Sequence, residues 1–320
     1  MTDAALQSVR LFPKNLGSAA YSLTGIAARC DWALMSDNKE QRTYLHRTQP
    51  TERPRHIFLS LRNVFAALPA FATEILPKLT APFVLISGSE DVTLPLQLDL
   101  RWRAYNASER QHISTILNHP LLIRWFAENL VEDGNPRFAA LPTGMVYPKG
   151  ATAAMTPVHI APTGARPLRI LVGHRVRSGP QWELRRAVSQ LASTTWKKFC
   201  TVPEEELPEP EFLRLMQSHA FVLCAEGGGV DPSPKAWQAM LQGAIPIIRK
   251  TGTYQAYTQL PVAFVTDWQA DSLTPDRLAE WHRTLAPHHD VAALRAQTLK
   301  RLGIDYWWAQ IESQTRCNNL

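Results

Sequence analysis

The part of this 320-residue chain best equipped for chemistry lies over residues 221–248. An apolar run, Phe221-Val222-Leu223-Cys224, leads through Ala225 and Glu226 into three consecutive glycines, Gly227, Gly228 and Gly229. Asp231, Pro232, Ser233 and Pro234 then turn the chain, Lys235 enters an amphipathic helix, Gly243 stops it, and Ile245-Pro246-Ile247-Ile248 is apolar again. Glycines carry no Cβ, so the amides of such a loop can approach a ligand closely. A helix beginning at Ser233-Pro234 aims its unpaired N–H groups and positive dipole end at the same place. That environment suits an anion such as a diphosphate. The glycines are not spaced as G-x-G-x-x-G, and no Gly-Lys-Ser/Thr follows them, so dinucleotide and ATPase chemistry have little support.

Such a loop has to be held by strands and helices, and the pattern supplies them. Apolar stretches at 57–61, 83–86, 138–141, 168–172, 198–202, 220–224, 245–248 and 262–265 read as buried strands. Helical patterns at 63–76, with Pro69 inside, and at 108–117, 120–130, 181–191, 210–218, 234–241 and 275–285 alternate with them. The first fifty-odd residues are polar and irregular in pattern. Strands that are continuously apolar and separated by helices predict parallel sheets covered on both faces. Residues 148–167, rich in Pro, Ala, Thr and Gly, predict a linker. The expected architecture is two α/β domains, residues 1–150 and 151–320, with a cleft between them.

Composition narrows the classes. With 45% hydrophobic and 19% charged residues, the chain is neither disordered nor collagen-like. No apolar run approaches the ~18 residues of a membrane helix, and no basic region with an apolar core opens the sequence. Cys30, Cys200, Cys224 and Cys317 are far apart and read as reduced thiols of a cytoplasmic protein. Thirty-four Lys and Arg against 28 Asp and Glu leave a net charge of +6, which favours anionic partners, whether phosphorylated small molecules, nucleic acid or an acidic membrane surface. The cations are dispersed among acids, which argues against nucleic acid and leaves a peripheral contact with an anionic membrane open.

The order of residues resembles the exostosin-like glycosyltransferases, enzymes of the GT-B type in which two Rossmann-like domains face each other across a cleft. Members read roughly Phe-x-Leu-Cys/Ser-Pro-Arg-Gly-x-Gly-x-Asp, then His-Arg-x-Trp-Glu-Ala-Leu, then Gly-Cys-Ile-Pro-Ile. Cys224, Gly227, Gly229, Asp231, Trp237, Ala239, Gly243, Ile245 and Pro246 match in place, and the likeness continues through Tyr254, Leu260-Pro261-Val262 and Asp267-Trp268. In the first half, Ile86-Ser87-Gly88-Ser89-Glu90-Asp91, Asn118-His119-Pro120, Trp125-Phe126-Ala127-Glu128-Asn129 and Leu141-Pro142-Thr143-Gly144 are similar to the same enzymes. Three positions depart from the pattern. Glu226 replaces the arginine before the first glycine, Pro234-Lys235 replaces His-Arg, and Gln238 replaces a glutamate that grips the nucleotide ribose. Gln238 still offers a neutral amide to a hydroxyl, and Lys235 keeps a positive charge without the fork of arginine.

The resemblance implies transfer of a sugar from a nucleotide-sugar, UDP-linked, to a glycan or other hydroxyl acceptor, with inversion. The nucleotide-sugar is a co-substrate, and no cofactor is expected. No Asp-x-Asp occurs, which favours a metal-independent reaction in which cations neutralise the leaving diphosphate. Arg175, in the loop Gly173-His174-Arg175-Val176-Arg177-Ser178-Gly179, and Arg185, on the following helix, are the expected cations, joined by Gly227, Gly228, Gly229, Asp231, Lys235, Gln238 and Tyr254 around the donor. For the base that deprotonates the acceptor, Glu90 and Asp91 come first, His119 could serve instead and Glu226 is third, with Gly88 and His119 on the acceptor side. His288-His289-Asp290 is a poor metal cluster, because adjacent helical histidines point apart. Tyr306-Trp307-Trp308 reads as packing on a final helix that crosses back to the first domain. The alternative is a nucleotide- or sugar-binding protein of the same fold without activity.

Overall fold

A computed structural model describes residues 9–14, 17–131, 134–146, 161–227 and 229–316. The chain divides into two units, Met1–Ala154 with Gly303–Leu320, and Met155–Leu302. The expected boundary at 150, most of the expected linker, Gly228 and Cys317 lie outside the described residues.

In the first unit, β1 (Trp32–Ser36), β2 (Thr43–Arg47), β3 (His56–Ser60), β4 (Phe83–Gly88), β5 (Leu122–Glu128) and β6 (Phe138–Leu141) form one sheet in the order β2-β1-β3-β4-β5-β6. β2 runs antiparallel to β1, and the remaining pairs are parallel. Every residue of β1, β3 and β4 is buried, as strands covered on both faces require. Trp32, Leu34, Ile57, Leu59, Leu85 and Trp125 share one face and pack on α1 (Val64–Ala70) and α2 (Ala107–Leu117). Strands taken in sequential order with right-handed crossovers place both helices on that face. Asn63 caps α1 by accepting the Ala66 N–H, and Asn106 with Glu109 forms a capping box on α2. Beyond Pro69, α1 gives way to a π turn over Phe71–Ile75.

Two expectations fail here. Residues 120–130 are not a helix; they hold β5, and Asn118 closes α2 instead of capping a second helix. The run 121–126, apolar but for Arg124, lies in an inner strand of a parallel sheet, a setting whose hydrophobicity matches that of a buried helix. The first fifty residues, expected to be irregular, contribute β1 and β2. β1 is five residues long, too short to show a period, and Asp31 fixes its start by accepting the N–H groups of Arg55 and His56.

The second unit is a parallel sheet of β7 (Ile170–Leu171), β8 (Cys200–Thr201), β9 (Phe221–Leu223), β10 (Ile245–Arg249) and β11 (Ala263–Val265) in the order β11-β10-β9-β7-β8. It is joined by α3 (Glu183–Ser193), α4 (Glu209–Ser218), α5 (Lys235–Leu241), α6 (Pro275–Leu285), α7 (Pro287–Asp290) and α8 (Ala292–Leu302). Ile170, Phe221, Leu223, Ile245 and Ile247 meet Val188 of α3, Leu278 of α6 and Trp196 in its core. α9 (Ile304–Arg316) then joins the first unit, where it covers the face of the sheet opposite α1 and α2. There Trp308 lies 5.0 Å, ring to ring, from His56, and Trp307 and Ile311 are buried. The chain is thus α/β with two Rossmann-like units. Among the described residues no helix is long and apolar enough to cross a membrane.

Candidate functional site

The strand order of the second unit reverses once. From β7 the chain moves outward through α3 to β8, returns through α4 to the other side of β7, and continues through β9 and β10 to β11. Crossovers on opposite faces make the loops leaving β7 and β9 diverge, and doubly wound sheets take their ligands in the crevice this opens at the carboxyl edge. In the first unit the described parallel strands follow one another without reversal. The second unit is therefore where the topology places a ligand.

The loops at that point carry His174 and Arg175 after β7 and Ala225, Glu226 and Gly227 after β9. Arg185 of α3 ties them together. Its guanidinium donates to the carbonyl oxygens of Glu226 at 2.9 Å, Arg175 at 3.2 Å and Ala225 at 3.3 Å, and lies 5.0 Å from the Trp182 ring centroid. Gly227 makes the approach possible, since a Cβ there would fall 2.9 Å from Arg185 Nη2. Lys235, the first residue of α5, has no hydrogen-bond or ion-pair partner for its ammonium among the described residues. Burial, then the charge of Arg185, pushes its pKa down to about 8. One turn on, Gln238 lies on the same side of α5.

Sequence reasoning passed over His174, which stands in this crevice. Its Nε2 lies 3.1 Å from the Arg185 carbonyl oxygen, which can only accept, so Nε2 carries the proton. Burial pushes the imidazole pKa down to about 4, so the ring is neutral at pH 7. Nδ1 is then a bare acceptor, buried and without a hydrogen-bond partner. An unmatched acceptor beside two cations was invisible in the sequence because its tautomer is set by α3, eleven residues away.

Other expected donor residues have different work. Glu226 is buried with both carboxylate oxygens engaged, Oε1 by Arg249 Nε at 2.5 Å and Oε2 by Trp268 Nε1 at 3.0 Å. Its negative charge, opposite to the arginine expected there, is answered by Arg249. Asp231 accepts the Ser233 N–H through Oδ1 and the Tyr257 hydroxyl at 2.6 Å through Oδ2, which shapes the turn into α5. Arg175 forms an exposed ion pair with Glu206. Gly229 lies in the same loop as Asp231, and Tyr254 follows β10, its ring edge-on to Phe264 and its hydroxyl accepting from Gln255. Burial drives the Cys224 thiol up to about 12, which leaves it unreactive.

In the first unit, Glu90 and Asp91 follow β4 but neither carboxylate stands open. Glu90 Oε2 pairs with Arg62 at 2.9 Å while Oε1 accepts the Asp91 N–H, and Asp91 pairs with Arg101 at 2.5 Å. Gly88 is explained by packing, because a Cβ would collide with the Phe12 ring at 2.5 Å and with Glu128 Oε2 at 2.8 Å. His119 precedes β5 and so sits at the amino edge, opposite Glu90, with its ring against Phe83. The structure does not bring these two together. What sequence reasoning missed is Glu128, whose buried carboxylate accepts from Lys14 at 2.6 Å and from the Ser89 N–H at 2.8 Å. Burial raises its pKa to about 7 in spite of the lysine.

Among the described residues no group of three or more His, Cys, Asp or Glu side chains is arranged to hold a metal. No protein-family model and no curated protein matches the chain. Solved structures resemble it in part. The spinosyn rhamnosyltransferase SpnG is 15% identical over 78% of this chain and 69% of its own, with a TM-score of 0.35. TarM is 7% identical over 81% of this chain and 54% of its own, with a TM-score of 0.43. UGT89C1 of Arabidopsis thaliana, complexed with UDP-L-rhamnose, is 14% identical over 79% and 66%, with a TM-score of 0.31. Likeness at this level carries no argument about activity.

Proposed function

We propose that the chain is a glycosyltransferase of the GT-B type, related to the exostosin-like enzymes, that moves a sugar from a UDP-linked donor to a hydroxyl of a glycan or other acceptor. One observation supports this above the rest: Lys235 and Arg185 put two positive charges at the strand-order reversal of a doubly wound sheet, and Lys235 has no counter-charge of its own. A diphosphate leaving group supplies that counter-charge. In this reading Lys235 and Arg185 stabilise the departing diphosphate without a metal, Gly227 and Gly229 leave room for it, and Gln238 meets the ribose. Glu90 or Asp91 takes the acceptor proton once released from its arginine, and the reaction inverts the anomeric centre. Buried, unpaired Cys30, Cys200 and Cys224 fit a reducing cytoplasm.

Incubation with UDP-, TDP- and GDP-sugars, read as release of free nucleotide, tests the proposal. At least one donor should turn over, and Glu90→Ala should slow it. Glu90 and Gln238 also favour a second reading, since the carboxylate is occupied and the amide is neutral: a binding protein without activity. Thermal stabilisation by a nucleotide with no turnover of any donor would decide for that reading, and neither effect would remove both. Gln238→Glu should tighten nucleotide binding about fivefold, because an ionised acceptor makes the stronger bond to a hydroxyl. Unchanged affinity in a calorimetric titration would take Gln238 away from the ribose.

A further inference from the structure

The loop after β4 is turned inside out. Thr93 and Asp99 are buried, whereas Leu96, Leu98 and Leu100 are 55%, 55% and 67% exposed. The polar residues brace the loop from within. Thr93 Oγ1 donates to the Leu96 carbonyl at 2.5 Å and accepts the Leu98 N–H at 2.7 Å. Gln97 Oε1 accepts the N–H groups of Thr93 and Asp99, and Asp99 accepts the N–H and the guanidinium of Arg101. Every second residue is thereby held outward as a leucine. Single exposed leucines are ordinary, but three side by side on a braced loop mark a surface built to be covered.

The charges around the leucines are sorted as well. Arg101 and Arg103 expose 33% and 51% of their side chains, while the carboxylates that pair with them, Asp99 and Glu109, are buried beneath. Arg110 is exposed nearby, with its guanidinium on the Tyr105 carbonyl. Asp91, paired with Arg101, is an exposed acid at the rim, and with Asp99 and Glu109 it balances the three arginines, so the sorting lies in which groups face outward. The face shown to solvent is thus apolar at its centre and guanidinium-rich at its border, on a chain of net charge +6. An anionic lipid bilayer complements both parts: phosphate headgroups meet the arginines and acyl chains receive the leucines.

We propose that this loop seats the protein on an anionic membrane surface. The inference does not depend on the glycosyl-transfer reading, although Asp91 at the rim is one of the two candidate bases there, and flotation of the full chain with lipid vesicles tests it. The protein should float with vesicles of phosphatidylcholine mixed with phosphatidylglycerol, less with phosphatidylcholine alone, and less as salt rises. A Leu96→Ser/Leu98→Ser/Leu100→Ser variant keeps every charge and should partition at least about tenfold more weakly, with an unchanged melting temperature. Leu98→Trp should partition more tightly, since the indole ring favours the headgroup region. Wild-type protein that stays unbound would overturn the proposal, as would a serine variant that floats like wild type. A wild-type dimer in the ultracentrifuge that the serine variant abolishes would also overturn it, assigning the patch to a second copy of the chain.

Discussion

Lys235→Met should weaken nucleoside-diphosphate binding at least about a hundredfold and at the same time stabilise the ligand-free protein. The loss follows from removing a buried charge-assisted contact to phosphate, worth about 1.5–3 kcal/mol before its long-range attraction is counted. The gain follows from burial and the neighbouring Arg185, which together make the ammonium costly to hold in the folded chain. With the ordinary value at 10.5 and the folded value near 8, the cost is complete below pH 8, fades between pH 8 and 10.5, and is absent above. Urea titrations should therefore show the methionine variant more stable by up to about 3 kcal/mol at pH 7 and equal to wild type at high pH. Binding carries the opposite sign. A diphosphate needs the ammonium, so affinity for UDP should fall by up to about tenfold per pH unit above pH 8, with proton uptake visible by calorimetry in buffers of different ionisation enthalpy. If the variant bound UDP as wild type does, Lys235 would not be at the phosphates.

Glu128→Ala should cost the first unit about 3–5 kcal/mol, because Lys14 is left as a buried ammonium with no opposing charge. Glu128→Leu combined with Lys14→Met should recover most of that loss, since an apolar pair of similar bulk removes both desolvation penalties. The single variants Glu128→Leu and Lys14→Met and the double form a cycle in which the coupling is read directly from denaturant midpoints. At pH 8, above the raised carboxyl value of about 7, the wild-type pair is charged and the comparison is cleanest. Losses that simply add would mean that lysine and glutamate do not support one another.

The second sheet was legible because its strands are short apolar runs between turn residues, and β9, β10 and β11 stand within a residue or two of where the pattern put them. Its helices were marked by proline and capping residues, as at Thr274-Pro275, where the Thr274 hydroxyl accepts the Arg277 N–H. β5 failed for a physical reason: a strand buried on both faces shows no alternation, and Pro120 imitates a helix start. The site was read at the level of loops, and individual roles were not. Glu226 looks like an acid free for catalysis until Arg249 and Trp268, 23 and 42 residues further on, close over it. Lys14 and Glu128 lie 114 residues apart, and nothing local to either announces the other. Gly227 was expected from its lack of a Cβ to let a ligand approach, and its need to admit Arg185 is a fact of packing that only the structure shows. Residue type gave the chemistry available, and contacts distant in sequence decided which groups remain available to use it.

The return of α9 to the first sheet sets the schedule by which a nascent chain matures. Phe58, Ile86 and Phe126 are synthesised early, yet the helix that shields their face from water is translated after the whole of the second unit. While the ribosome works through residues 155–302, that face of a nearly complete sheet has only part of its cover, from Phe12 and the turn at residues 25–29, a condition that invites chaperone capture. The second unit, drawn from a single stretch of sequence, is free to fold before its neighbour is finished.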